Sequence, residues 1–330
     1  MHKPIYLFFG FASEYVLNPL YQKAVAEGFD CIELDLFTEK NPQRILKELK
    51  NKQIVFINSA HLFFDKKNFF ASYHYDGEVI SPLEIIDYLK PIRKICFAHD
   101  LSQLFHEKEI PWLSLFDDVI IPLERPDYLA FHPHVTNLGW IKRQTHPSPI
   151  NESNKNQVGF AFCEFEYHRL LGLIPSYDIW EKIVNKKITV KFPHWYGSDE
   201  FERYFAEKNT ALFPSTSSIS DFIDAHEIIL TYGPSSVNAE AAYAGRRVIN
   251  ILNDESEHAK QRNLLGHLPN IEFMTRDQCE VFLQNIDTHI SSSLAPLTNG
   301  IRPFNFAQAL DILSGQSHSR LKHNEKELFA

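Results

Sequence analysis

Short apolar runs alternate with amphipathic stretches along most of this chain. In the first half, Ile5–Ala12, Cys31–Phe37, Ile54–Ser59, Lys94–Ala98 and Val119–Pro122 read as strands. Between them, Ser13–Gly28, Pro42–Asn51 and Pro82–Leu89 carry helical spacing, with Ser13 placed as an N-cap and Gly28 as a stop. Trp112–Phe116 fits either pattern. The periodicity is lost over residues 142–157 (KRQTHPSPINESNKNQ), a polar stretch with two prolines and the composition of a linker. It then restarts. Val158–Cys163, Ile188–Phe192, Ala211–Phe213, Ile228–Thr231 and Arg247–Leu252 read as strands. Tyr177–Asn185, Glu200–Lys208, Ile219–Asp224, Ser235–Ala244 and Asp277–Asn285 read as helices, and helical segments are expected to fill much of the rest.

Strands that alternate with helices predict parallel sheets covered on both faces. The chain is expected to form two doubly wound, Rossmann-like α/β domains, residues 1–141 and 158–330, joined by the linker at 142–157. Such sheets bind ligands at the carboxyl ends of their strands, near a topological switch point. With two domains facing each other, the cleft between them is the expected active site.

Composition narrows the class. The chain has 330 residues, 44% of them hydrophobic and 23% charged, the balance of a water-soluble globular protein. Its formal net charge of −9 argues against a nucleic-acid partner, which needs a basic face. The four cysteines, Cys31, Cys96, Cys163 and Cys279, form no CxxC pair, and three lie within apolar runs. They predict a reduced, cytoplasmic protein without a structural metal. The N-terminus lacks signal-peptide architecture. No apolar stretch reaches the roughly 18 residues of a membrane span, which leaves open only peripheral attachment at the inner face of a membrane.

The segment IILTYGPSSVNAEAAYAGRRVINIL, residues 228–252, carries the most chemistry. A buried strand enters a turn at Gly233-Pro234. Ser235 and Ser236 open a helix, where unpaired N–H groups and the positive dipole end favour an anion. Ala239, Ala241, Ala242 and Ala244 allow the helix close approach to the sheet. Glu240 lies about one turn in, where it can face a ligand. An ordinary strand–turn–helix with a serine cap reads the same way.

This segment resembles the donor-binding motif of GT-B glycosyltransferases. The resemblance implies that Ser235 and Ser236 hold the donor's phosphates and that Glu240 bonds a sugar or ribose hydroxyl. The serine pair is most similar to polyglycerol-phosphate transferases and to transferases of capsule and lipopolysaccharide sugars. The chain departs from the family at Gly245-Arg246-Arg247, where a small residue, any residue and proline are usual. Surface-polymer transferases are also similar to ITVKFPHW, residues 188–195. There Lys191 can neutralise phosphate as a point charge, and His194 can bind phosphate or protonate a leaving oxygen. In Phe213-Pro214-Ser215, the resemblance implies that backbone groups around Pro214 cradle the nucleotide base.

The first domain must supply the base that deprotonates an acceptor hydroxyl. Cys96-Phe97-Ala98-His99-Asp100 ends a strand in two titratable groups, which makes His99 and Asp100 the candidate catalytic pair. A quiet alternative has Asp100 capping a helix and His99 packed beside it. Glu164 and Glu166 read as a fraying strand end. His132-Pro133-His134, just before Val135–Trp140, reads as a domain-crossing loop and not as a metal site. No Walker loop, GxGxxG, GxSxG, HExxH or suitably placed DxD occurs.

The resemblance implies a metal-independent glycosyltransferase of bacterial surface-glycan synthesis. It would take a nucleotide-activated sugar as substrate and a glycan or glycolipid as acceptor, with no separate cofactor. Three alternatives stand beside it: a sugar-nucleotide epimerase or hydrolase of the same fold, a CDP-polyol phosphotransferase, and a non-catalytic scaffold.

Overall fold

Nearly unbroken apolar runs build the two sheets, because a parallel strand between two helical layers is buried on both faces. The structure, a computed structural model, describes residues 3–10, 17–36, 39–60, 62, 78, 80–98, 110–122, 126–143, 148–150, 157–161, 188–192, 203, 206–207, 210–232, 235–252, 270–285 and 302–315. The chain divides into two compact units, Met1–His146 with Arg302–Ala330, and Pro147–Ile301.

The first unit holds strands β1 (Ile5–Gly10), β2 (Asp30–Asp35), β3 (Ile54–Asn58), β4 (Arg93–Phe97), β5 (Asp118–Ile121) and β6 (Val135–Asn137). They form one sheet in the order β2-β1-β3-β4-β5-β6, with every pairing parallel. Helices α1 (Asn18–Ala26), α2 (Pro42–Leu49) and α3 (Pro82–Leu89) each carry a proline in the first turn, where its missing N–H costs nothing. Asn41 caps α2 at the Arg44 amide, and Ser81 forms a capping box with Glu84 on α3.

The second unit holds β7 (Val158–Ala161), β8 (Ile188–Lys191), β9 (Ala211–Leu212), β10 (Ile228–Tyr232), β11 (Arg247–Leu252) and β12 (Ile271–Thr275). Their order is β12-β11-β10-β7-β8-β9, again all parallel. Helices α4 (Ile219–Ala225), α5 (Ser236–Tyr243) and α6 (Arg276–Gln284) belong to this unit. Val158, Phe160, Val190, Leu230, Ile249 and Phe282 lie in its core. In both units the innermost strand has neighbours from two different runs of chain. The switch points therefore fall between β1 and β3, and between β7 and β10.

Some local readings differ from the sequence expectation, and one that it left open is resolved. Val135–Asn137, expected as part of a crossing loop, pairs with β5 as the edge strand β6. Ile271–Thr275, expected within a helical region, is the edge strand β12. Trp112–Phe116 lies mostly in a 3-10 helix, Ile110–Leu115. The expected helices Tyr177–Asn185 and Glu200–Lys208 fall wholly or largely outside the described residues.

The C-terminal segment also differs. The sequence reading runs the second domain to residue 330, whereas Arg302–Ala330 clusters with the first unit. Helix α7 (Phe306–Ser314) buries Ala309, Ile312 and Leu313 against a core that includes Leu17, Leu20 and Ala24 of the α1 region. Gly139 makes the return feasible. Its φ is +81°, and a Cβ there would stand 2.5 Å from the carbonyl oxygens of Arg302 and Pro303. The Trp140 amide donates to Arg302 O at 3.0 Å, and the Asn305 amide to Leu138 O at 2.8 Å.

Candidate functional site

Strand β10 ends at the switch point of the second sheet, and three residues separate its last residue, Tyr232, from the start of α5. Ser235 is the N-cap. Its hydroxyl accepts from the Val237 amide at 3.2 Å, and its carbonyl from the Asn238 amide at 3.2 Å. Ser236 is the first helical residue, so its own N–H has no acceptor within the helix. The Ser236 hydroxyl is turned inward and donates to Glu240 Oε1 at 3.0 Å. The serine pair thus shapes the helix start through one cap and one inward bond.

Beneath the helix lies a polar network that sequence reasoning missed. Thr231, Asn238 and Asn250 have no solvent exposure. Thr231 Oγ1 donates to Asn238 Oδ1, while Asn250 Nδ2 donates to Thr231 Oγ1 at 2.9 Å and to Asn238 Oδ1 at 3.3 Å. The network links β10, α5 and β11 at one point and so sets the register of the helix start over the sheet. The available signal was a Thr and an Asn inside the apolar runs IILTY and VINIL.

The far end of α5 is also tied down. Asn270 Nδ2 donates to Ala242 O at 3.2 Å. Gly245, at φ +78°, closes the helix, with its amide on Ala242 O and the Arg246 amide on Ala241 O. The departure at Gly245-Arg246-Arg247 has a structural reason. Arg246 is 1% exposed, and its guanidinium reaches Ile223 O at 2.9 Å and Ser148 O at 2.6 Å. It gathers the end of α4 and the linker onto the helix stop. Arg247 instead pairs with Glu272 across β11 and β12 at 2.6 and 3.1 Å.

Glu240 is the unusual group of this site. Its side chain is 2% exposed, and Oε2 has no hydrogen-bond partner. A buried acceptor left unmade costs on the order of 1–3 kcal/mol, so such atoms call for an explanation. An incoming hydroxyl would complete it.

Lys191 ends β8 and is 5% exposed. Its Nζ lies 3.2 Å from Pro214 O and 3.0 Å from Ser215 O, with Phe192 O at 3.5 Å. The structure therefore brings Lys191 and Pro214 together, and Ser235, Ser236 and Glu240 together. His194 lies outside the described residues, as do His99, Asp100, Glu164 and Glu166. At the first unit's switch point, Ser59 donates from N to Phe9 O at 2.9 Å, and Asn58 bonds both ways with Ala60. Asn58 and Ser59 are fully buried where β1 and β3 end.

Other titratable groups have structural partners. His132 Nε2 stands 2.7 Å from Phe116 O, and its Nδ1 accepts from the His134 amide at 3.0 Å. Both ring nitrogens are occupied, with the proton on Nε2. Asp118 pairs with Arg93 at 2.6 Å, and that guanidinium also donates to Ile312 O of α7. Burial pushes the Cys31 thiol up to about 11 and the Cys279 thiol to about 12, so both stay protonated. Among the described residues, no group of three or more His, Cys, Asp or Glu is placed to hold a metal, and no helix is long and apolar enough to cross a membrane.

Two doubly wound, Rossmann-like α/β units in one chain match the GT-B fold. The chain is similar to a putative UDP-N-acetylglucosamine 2-epimerase from Listeria monocytogenes, at 12% identity over 93% of each chain with a TM-score of 0.52. It is also similar to Acinetobacter baumannii MurG, at 11% identity over 95% of this chain and 100% of that one, TM-score 0.48. The glycotransferase of kitacinnamycin is a further likeness, at 10% identity over 88% and 92% of the two chains, TM-score 0.45. At such identities the likeness is one of fold. No protein-family model and no curated protein matches the sequence.

Proposed function

We propose that this protein is a glycosyltransferase that moves a sugar from a nucleotide-activated donor to a polysaccharide or glycolipid acceptor in bacterial surface-glycan synthesis. The observation that carries the proposal is the buried Glu240 carboxylate, with its unpartnered oxygen one turn inside a capped helix start at a switch point. Phosphate would take the open Ser236 amide of that start, favoured by the helix dipole. Glu240 sits about 6 Å further along the helix axis, by the helical rise, too deep for an anion of its own sign. A ribose or sugar hydroxyl suits it, because it donates the missing proton. His99 or Asp100 acts as the base for the acceptor hydroxyl, and His194 assists the leaving phosphate. Catalysis then comes from positioning and from stabilising the departing charge, with no metal in the scheme.

The test is a thermal-shift screen with CMP, CDP, UDP, GDP and ADP on the wild type and on Glu240→Ala. A ligand at about 100 times its dissociation constant adds about 2.7 kcal/mol of stability. One nucleotide should raise the melting temperature of the wild type and fail to do so for the variant. A flat response to all five would put the non-catalytic scaffold first.

The Listeria structure, with the highest TM-score of the three, favours a second reading, a sugar-nucleotide epimerase or hydrolase. Incubation with donor alone separates the two. A transferase leaves the sugar nucleotide intact without acceptor, whereas an epimerase or hydrolase converts it.

A further inference from the structure

We infer that Lys191 is a positioning residue, which holds the loop after β9 in shape and does not serve the phosphate-holding helix start. The inference deepens the proposed function and rests on that reading of the site. Its first support is direction. In the second sheet β8 lies between β7 and β9, and β10 lies beyond β7. Lys191 bonds the carbonyls of Pro214 and Ser215, which follow β9. Its ammonium is therefore drawn away from β10 and from the start of α5. Neighbouring strands are about 4.8 Å apart, so two spacings put the end of β8 roughly 10 Å from the end of β10.

The second support is the loop itself. The Phe213 amide donates to Val190 O at 2.8 Å, and the Ser217 amide closes a turn on Pro214 O at 3.1 Å. Pro214 O therefore receives both the turn amide and the ammonium. Ser218 then caps α4 at the Asp221 amide. The loop is short and its backbone carbonyls converge, an arrangement that self-repels without a cation among them.

The third support is where a ligand can lie. Helix α5 packs on β10 and β11. On the proposed reading, a nucleotide with its phosphates at the helix start and its nucleoside lying over β7 would reach towards β8 and β9. The loop that Lys191 holds then meets the nucleoside end and not the phosphates. Lys191 sets nucleoside affinity and leaves the increment from the diphosphate unchanged.

The experiment uses the full chain and compares the nucleoside diphosphate found in the screen with its parent nucleoside, by calorimetric titration. Lys191→Met should weaken both by the same factor, about tenfold, which is the scale of losing hydrogen bonds from a charged donor. The ratio of the two affinities should stay at the wild-type value, and Lys191→Arg should recover part of the loss. Amide exchange gives a readout independent of ligand. The Ser217 amide should exchange faster in Lys191→Met, while the amides of β7 and β10 keep their protection. A ratio that collapses, with diphosphate weakened and nucleoside unchanged, would make Lys191 a phosphate ligand and overturn the inference alone. Unchanged Ser217 exchange would overturn it as well. A wild type that binds no nucleotide would remove the proposed function and this inference together.

Discussion

The adjacent arginines after α5 offer a sharp test, since they look alike in sequence and are used differently. Replacing Arg246 by Met keeps most of the apolar stem and deletes the guanidinium. Two well-formed charged bonds are lost, to Ile223 O at 2.9 Å and Ser148 O at 2.6 Å, and two longer contacts to Asp224 at 3.4 Å add little. At about 1.5–3 kcal/mol for each good bond, the loss comes to about 4 kcal/mol. Arg247→Met removes an ion pair whose side chains are 22% and 43% exposed, where about 0–1 kcal/mol is expected. For a unit the size of Pro147–Ile301, each kcal/mol moves the melting temperature by roughly 2–4 °C. Differential scanning calorimetry should therefore show a drop of about 10 °C for Arg246→Met and at most about 4 °C for Arg247→Met. The transition that includes α4 and α5 should be the one that moves. Equal shifts, or a larger one for Arg247→Met, would refute the structural role given to Arg246.

Other expectations follow from the same structure. Glu240→Leu removes an orphaned buried acceptor but also the bond that Glu240 Oε1 accepts from the Ser236 hydroxyl, so the two effects offset and the ligand-free protein should stay within about 1 kcal/mol of wild type, while the nucleotide shift disappears; a marked drop in the ligand-free melting temperature would count against the site. Burial holds the His226 imidazole below its ordinary value of 6.5, against an opposing bond to Phe222 O, with the Arg246 charge as a lesser cause in the same direction. The unfolded chain therefore binds a proton that the folded one refuses, and stability is full above about pH 6.5 and falls as pH drops towards the folded value. Urea midpoints compared between about pH 7.5 and pH 5 should fall more for wild type than for His226→Gln, and identical slopes would remove His226 as the cause. Gly139→Ala forces a Cβ onto two carbonyls in a left-handed backbone, and a loss of about 3 kcal/mol is expected. Limited proteolysis should then cut near residue 302 well before the rest of the chain, and unchanged resistance would argue against the role of Gly139 in the C-terminal return.

Much of the architecture was legible because parallel strands advertise themselves. Helix Pro82–Leu89 and strand Arg247–Leu252 match the reading residue for residue, and most other strands differ from it by one or two residues at an end. The two missed strands are both sheet edges. Val135–Asn137 is half-buried throughout, and only Ile271 of Ile271–Thr275 is buried, so neither produces an apolar run. The helix start at Ser235 was readable from local chemistry, since a cap and its amides are close in sequence. The partners of Lys191 and Arg246 were not. Apart from the long contact of Lys191 to Phe192 O, the carbonyls they bond lie more than 20 residues away, and no local pattern marks a carbonyl as needing a cation. The C-terminal return was hidden for a related reason, because α7 looks like any amphipathic helix until Gly139 and α1 are seen beneath it.

That return also sets an order of events during synthesis. The first unit begins at the N-terminus, yet its core needs Ala309, Ile312 and Leu313 near the other end. The second unit, Pro147–Ile301, is contiguous in sequence. As the chain emerges, the later unit can therefore finish folding before the earlier one. The apolar face of α1 waits for more than half the protein to be made, a delay on the order of ten seconds or longer at typical translation speeds. During that interval Leu17 and Leu20 are open to chaperones and to neighbouring chains. Slowed translation late in the message should then lower the yield of folded protein more than the same delay placed early.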